Sequence, residues 1–186
     1  MPAIEIKYNN IIFSPEVQRY CNNPKLKCPK YGHSWTCPPE APYLEKEVSS
    51  YKKFYLIYSE FNLKEYMKKE KIMHPNLSEE RIKNNLYRNN FLKDNLEKEI
   101  LSFLKNRELK FRRRFILWNG FCGICDNTKD KGCTYDNEKS CRYPNKKRYS
   151  MEAVGIHVSD TVKTLNINIE WPPVNYVYLF GLICFD

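Results

Sequence analysis

Seven of the eight cysteines in this chain fall into two short stretches, and this clustering constrains the fold more than any other feature. The first stretch has the spacing C-x6-C-x8-C and the second has the spacing C-x2-C-x7-C-x7-C. A C-x2-C pair places two sulfur atoms on one tight turn, and the later cysteines can wrap the loop around the same ion or cluster. The pattern therefore predicts two cysteine-rich metal-binding loops, with Cys21, Cys28 and Cys37 in the first and Cys122, Cys125, Cys133 and Cys141 in the second.

The length of the chain, 186 residues, is that of one domain, since domains usually have roughly 100–200 residues. The segment 1–7 lacks the apolar region of a secretory signal. The longest apolar run, 176–185, falls short of the ~20 residues that cross a bilayer. We therefore expect a single cytoplasmic metal-binding domain over residues 1–186, with no membrane span. Thiols stay reduced in that compartment, so patterned cysteines bind metal more often than they cross-link.

The hydrophobic pattern predicts an alternation of strands and helices. Strands are expected at 4–8, 54–58, 115–118, 165–171 and 176–184, and helices from Ser14 onward, over 63–107 and over 150–154. This order fits a single-domain α/β sandwich, in which helices cover a mixed sheet. The short connection between the last two strands predicts that they pair antiparallel. Both cysteine loops adjoin strands of this sheet, so we expect the two loops to meet at one end of the fold.

The cysteine spacing bears on which metal is bound. Four thiolates satisfy either a tetrahedral zinc ion or a 4Fe–4S cluster. A zinc ribbon would carry a second C-x2-C pair, which is absent, whereas iron–sulfur sites often use singly spaced cysteines followed by proline. Here Pro38 follows Cys37, and Pro144 lies shortly after Cys141. The sequence therefore favours one or two iron–sulfur clusters, and zinc remains the alternative.

The first loop offers only three thiolates, so one position of a four-coordinate centre needs another ligand. His33, Cys184, a cysteine shared from the second loop, or an exogenous molecule could supply it. Cys184 lies in an apolar run and is expected to pack as a strand residue. An open position is what catalytic metal sites keep, so the first loop is also the candidate site of an enzyme. Glu152 is expected to act only as a carboxylate near a helix N-terminus.

Basic residues flank the second loop on both sides, and the chain carries a net charge of +9. They are Lys110, Arg112, Arg113, Arg114, Lys146, Lys147 and Arg148. This face could receive an acidic redox partner, or bind nucleic acid with the help of Phe111, Phe115 and Tyr149, or simply be solvated. The sequence has no phosphate-binding loop and no hydrolase or metalloprotease motif. The oligomeric state stays open.

Three functions are therefore compatible with the sequence. The first is an iron–sulfur protein with an electron-transfer or accessory role. The second is a structural zinc module that binds a partner or nucleic acid through its basic face. The third is an iron–sulfur enzyme whose three-cysteine centre keeps one position open.

Four segments also carry a resemblance to a known family: CPKYGHSWTCPP (28–39), GFCGIC (120–125), CRYP (141–144) and RYSMEAVGIHV (148–158). In order and separation they resemble an uncharacterised prokaryotic family of predicted metal-binding proteins that is common in anaerobes. The resemblance implies that the seven loop cysteines are metal ligands, and it implies no reaction. The segment 63–107 matches no motif of this kind.

Overall fold

The structure, a computed structural model, describes residues 3–24, 26–106, 111–126 and 132–186. Its strands are β1 (Ala3–Ile6), β2 (Asn22–Asn23), β3 (Leu26–Lys27), β4 (Lys53–Asn62), β5 (Arg114–Trp118), β6 (Tyr149–Ser150) and β7 (Tyr176–Phe185). Its helices are α1 (Glu16–Tyr20), α2 (Glu45–Ser49), α3 (Leu63–Met73), α4 (Glu79–Arg88), α5 (Phe91–Asn106) and α6 (Val158–Lys163). None of the helices in these ranges is long and apolar enough to cross a membrane.

Five of the strands form one sheet in the order β1-β4-β7-β5-β6. The pairs β1–β4, β4–β7 and β5–β7 are antiparallel, whereas β5 and β6 are parallel. The short strands β2 and β3 pair separately within the first cysteine loop. The predicted α/β class with a mixed sheet is therefore confirmed.

Side chains alternate between the two faces of the sheet along each strand. Both faces are buried, because other elements of the chain cover each of them. On one face, Leu56 and Leu182 pack with residues of α2, α6 and the 152–154 turn. On the other face, Ile57 and Ile183 pack against α5 through Leu96, Ile100 and Phe103. The sandwich arrangement that the sequence predicts is thus present.

The segment 63–107 is not one long helix, as the hydrophobic spacing suggested, but the three helices α3, α4 and α5. The first break lies at Pro75, which has no backbone N–H to continue a helix. Ser78 then caps α4 by accepting a hydrogen bond from the Arg81 amide (3.2 Å), and Asn89 accepts one from the Phe91 amide (3.0 Å) before α5. Residue 107 lies outside the described residues.

The prediction of a strand over 165–171 is wrong, and so is the antiparallel pair it was to form with 176–184. The segment turns at Asn166, where φ is +57°, and continues without strand pairing. Its apolar residues Leu165, Ile167 and Ile169 are partly buried against the core on one side of the sheet. Alternating hydrophobicity therefore reflects a packed loop here, and β7 pairs instead with β4 and β5.

The helix expected over 150–154 is also absent. Ser150 belongs to β6, and Glu152–Val154 form a single 3-10 turn. The turn ends at Gly155, whose φ of +96° is a left-handed conformation that glycine adopts without strain. The next helix, α6, begins only after His157, whose ring accepts a hydrogen bond from the Asp160 amide.

Candidate metal centre

The second cysteine loop leaves the end of β5 and returns to β6, which pairs with the last two residues of β5. Four thiol side chains of this loop line one small cavity of about 20 Å³, and they are those of Cys122, Cys125, Cys133 and Cys141. Thiolates are the donors that zinc and iron–sulfur clusters prefer, so the chemistry of the donor set fits both. Across the described ranges, no three Cys, His, Asp or Glu side chains already stand in an arrangement that holds a metal ion. The thiols therefore share a cavity wall without converging on one point.

The first cysteine loop closes this cavity through Ser34, Trp35 and Thr36. The indole N–H of Trp35 lies 3.3 Å from the Thr134 hydroxyl oxygen and 3.2 Å from the Lys139 carbonyl oxygen, and it donates to both. The ring of Trp35 also meets that of Tyr135 edge to face, with centroids 5.0 Å apart. The prediction that the two cysteine loops meet in space is confirmed.

The three thiols of the first loop lie close enough for their charges to interact. The Cys28 amide donates a hydrogen bond to the Cys21 carbonyl oxygen (2.9 Å), which closes the β2–β3 hairpin. Burial raises the pKa of the Cys21 thiol to about 11, and the nearby Cys28, Cys37 and Glu152 add to this shift. Burial also raises the pKa of Cys37. The structure thus brings Cys21, Cys28 and Cys37 into one neighbourhood beside the four-cysteine cavity.

The surroundings of Cys184 and His33 bear on which group could be the fourth ligand of the first loop. Cys184 is fully buried in β7, where it pairs with Phe54 and with Phe115 near the start of β5. The second cysteine loop leaves the opposite end of β5, so Cys184 is a packed strand residue, as expected. The His33 ring lies 2.8 Å from the Asp136 carboxylate and links the two loops.

The buried position of Cys184 predicts that this thiol does not react in the native protein. Burial raises its pKa to about 12, and the thiolate is the form that attacks alkylating reagents. After brief treatment with iodoacetamide, mass spectrometry should find Cys184 unmodified, and it should become modified once guanidinium unfolds the chain. Native-state modification of Cys184 as fast as that of Cys28 would contradict this placement.

A lysine from α5 reaches the second cysteine loop. The Lys93 ammonium donates a hydrogen bond to the Phe121 carbonyl oxygen (2.7 Å) and lies 4.2 Å from the centre of the Phe121 ring. Burial lowers the pKa of Lys93, and the charges of Asp126 and Cys122 act in the opposite direction. Lys93 therefore places positive charge next to a thiol of the cavity. Sequence reasoning missed it, because nothing distinguishes it from the other lysines of 63–107.

The last residue of the first basic stretch and all three residues of the second line one open cleft of about 570 Å³. It contains Arg114, Lys146, Lys147 and Arg148. Arg148 forms a bidentate ion pair with Glu97 (2.8 and 2.9 Å) and covers the Trp118 ring at 4.1 Å. Lys110 lies outside the described residues.

The aromatic side chains considered for base stacking are packed against the protein. Phe111 lies against Phe185, with ring centroids 4.8 Å apart. Phe115 and Tyr149 are partly buried against the core. The cleft therefore presents charge rather than a row of free rings.

Glu152 was expected at a helix N-terminus, and that interpretation is wrong because no helix begins there. It lies in the 152–154 turn, where burial raises the pKa of its carboxyl despite a hydrogen bond from Ser150. The carboxyl lines a second cavity, of about 210 Å³, together with Asn119. Its charge also contributes to the raised pKa of Cys21. Glu152 is thus a partly buried acid between this cavity and the first thiol set.

Comparison with known proteins gives one match. A family model described as predicted metal-binding protein (DUF2284) matches residues 4–185, which is nearly the whole chain. No curated protein and no solved structure was found to match it.

Proposed function

The chain belongs to the family of predicted metal-binding proteins (DUF2284), and from this premise we propose that it is an iron–sulfur protein that passes electrons. Its principal centre would be held by Cys122, Cys125, Cys133 and Cys141. The observation that carries this proposal is the cavity that these four thiols line, closed by Trp35 from the other loop. The spacing of the cysteines and the prolines after them favour iron over zinc.

The surrounding residues suit a negatively charged centre that is partly shielded from water. Trp35 and Tyr143 line the cavity and limit access of solvent, which influences the reduction potential. Lys93, Lys146 and Lys147 supply positive charge that offsets the thiolates. When bound, a cluster would supply a carrier of single electrons. The protein would hold it, exclude water and set the surrounding charge.

The position of the first thiol set supports a second centre in electronic contact with the principal one. Thr36 lines the four-cysteine cavity, and the next residue, Cys37, belongs to the first set. One peptide bond, between Thr36 and Cys37, therefore joins the four-cysteine cavity to the first thiol set. An electron could pass between the two centres over this short path. With three thiols from the first loop, this centre would take its fourth ligand from a shared cysteine of the second loop, from an exogenous molecule, or from Nε2 of His33, since the Asp136 contact occupies only Nδ1. Cys184 is packed too deeply in β7 to serve. If an exogenous molecule is the fourth ligand, a substrate could replace it, and the protein would then be an iron–sulfur enzyme.

The size of the four-cysteine cavity favours a second candidate, a structural zinc module. A volume of about 20 Å³ is close to the space that one water-sized sphere occupies, and a single zinc ion fits it. Either centre would need the thiols to turn towards it, because the described side chains do not yet converge on one point. Such a module would bind its partner through the basic cleft.

The basic cleft supports a partner with an acidic surface. Ile124, Lys146 and Lys147 line both this cleft and the four-cysteine cavity, so a molecule in the cleft would lie directly beside the centre. Positive charge near a redox centre speeds encounter with anionic partners and slows encounter with cationic ones.

Small redox reagents of opposite charge test the role of this cleft. In the double variant Lys146→Gln/Lys147→Gln, we expect ferricyanide to oxidise the reduced protein several-fold more slowly at low salt, and hexaamminecobalt(III) to react faster. The difference should shrink as salt screens the charges. The control Lys64→Gln/Lys68→Gln makes the same charge change on α3, outside the cleft. Equal effects of the two double variants would contradict a special role for the cleft.

Spectroscopy of protein purified without oxygen tests the proposed function itself. We expect a brown protein whose visible absorbance decreases on reduction with dithionite and returns on reoxidation. A colourless protein that binds zinc and shows no reversible redox change would overturn the proposal in favour of the zinc module.

A further inference from the structure

The cavity of about 210 Å³ beside Glu152 plays no part in the proposed metal chemistry, and its lining is unlike the rest of this basic chain. Four aromatic side chains and two carboxyl groups form much of its wall. They are Trp171, Tyr176, Tyr178, Phe180, Glu152 and Glu170. None of the described residues that line it is a lysine or an arginine, although the net charge of the chain is +9.

Three of the rings follow one another along β7. Tyr176, Tyr178 and Phe180 occupy alternate positions and therefore share one face of the strand. Neighbouring ring centroids are 6.3 Å apart in both pairs. Trp171 stands at the cavity with 87% of its surface exposed. An indole this exposed has most of its ring face free to cover a ligand.

The two acids are held in different ways. The Glu170 carboxylate accepts hydrogen bonds from the Val174 amide (3.1 Å), the Asn175 amide (2.7 Å) and the Asn175 side chain (2.6 Å). These bonds lower the pKa of Glu170 and fix its charge at the cavity. Burial raises the pKa of Glu152, as expected for a carboxyl that has lost water without gaining a positive neighbour. Both acids would be stabilised by a cation in the cavity.

We propose that this cavity binds a small organic ammonium cation, tertiary or quaternary, such as a methylated amine. Ring faces attract a cation through their quadrupole, and alkylated ammonium groups are recognised in this way by cages of Trp, Tyr and Phe. The carboxyl groups supply the complementary charge, and the volume admits a ligand of few heavy atoms. An anion would be repelled by the Glu170 charge, because none of the described residues that line the cavity is a lysine or an arginine. A neutral apolar molecule would leave that charge without a counterion.

The location of the cavity places this ligand beside both cysteine loops. Asn119 lies three residues before Cys122, and Glu152 is near enough to Cys21 to influence its pKa. The ammonium site itself depends only on the wall of the cavity, and it stands whichever metal the cysteines hold.

Calorimetric titration of the intact purified chain tests the site with two molecules of nearly the same shape. Choline carries the ammonium charge, and 3,3-dimethyl-1-butanol is its neutral carbon counterpart. We expect choline to bind saturably with one site per chain, and the neutral molecule to bind at least about tenfold more weakly. Equal affinities for the two, or binding of neither choline nor tetramethylammonium, would overturn the proposal.

Substitutions at the rim locate the binding. Trp171→Leu changes a highly exposed side chain and should leave folding intact, while it weakens choline binding about tenfold or more. Glu170→Gln should weaken choline binding and leave the weak binding of the neutral molecule unchanged. The control Tyr87→Leu removes another exposed aromatic residue, on α4 and away from the cavity, and should have no effect. Unchanged choline binding in Trp171→Leu, or an equal loss in the Tyr87→Leu control, would contradict the assignment.

Discussion

Replacing Cys125 by serine should remove the metal from the second cysteine loop and strongly destabilise the fold. Metal binding at thiolate sites is coupled to folding and contributes on the order of 10 kcal/mol. A serine oxygen is a harder and poorer ligand for zinc or an iron–sulfur cluster. We expect the same for Cys122→Ser, Cys133→Ser and Cys141→Ser, because all four thiols line one cavity. Metal analysis and denaturant unfolding would measure both losses.

Cys184→Ala is the matched control for these variants. It removes the one cysteine that is packed in the sheet, so it should lower the free energy of unfolding through the small cavity it leaves in the core. Its metal content should equal that of the unaltered chain. Full metal content in all four second-loop variants would refute the assignment of ligands, and loss of metal in Cys184→Ala would show that stability alone determines metal retention.

Replacing Gly155 by alanine should destabilise the fold by about 2–5 kcal/mol, through backbone strain and a steric clash together. Its φ of +96° is unfavourable for any residue with a Cβ atom, and that atom would overlap a carbon of the Tyr43 ring. Tyr43 cannot move freely, since its hydroxyl donates a hydrogen bond to Glu45 (2.9 Å). Chemical denaturation would measure the loss.

Gly120→Ala separates the two causes. Gly120 also has a positive φ, of +66°, but an added Cβ atom would meet nothing within 4 Å. This variant should therefore cost only the backbone strain, about 1–2 kcal/mol. If Gly155→Ala is no more destabilising than Gly120→Ala, then the steric clash with Tyr43 contributes nothing measurable to the loss of stability.

The sheet could be predicted from the sequence where strands are buried and continuous. Apolar runs such as 54–58 and 115–118 have few alternatives to a central strand, and both form as expected. The segment 165–171 instead alternates apolar and polar residues, and its apolar side chains pack against the core from outside the sheet. Such a segment becomes a strand only if an unpaired edge of the sheet lies beside it. The hydrophobic pattern of the segment itself does not contain that information.

The cysteine loops could be predicted, but their surroundings could not. Spacing grouped the seven thiols into the two sets that the structure also shows, because residues of one short loop stay close together in space. Lys93 was missed, and the surroundings of Glu152 were predicted wrongly, for the opposite reason. Each interacts with a cysteine distant in sequence, Lys93 with Cys122 and Glu152 with Cys21. Only the packing of α5 and of the 152–154 turn brings them there.

The content of iron, acid-labile sulfide and zinc per chain, in protein purified without oxygen, tests the central claim most directly. The account predicts iron and sulfide in equal amounts, about four of each for every 4Fe–4S cluster. It predicts that Cys125→Ser loses the iron and sulfide of the second loop. One zinc per chain with no sulfide, lost in the same variant, would contradict the iron–sulfur assignment while leaving the four thiols as a metal site.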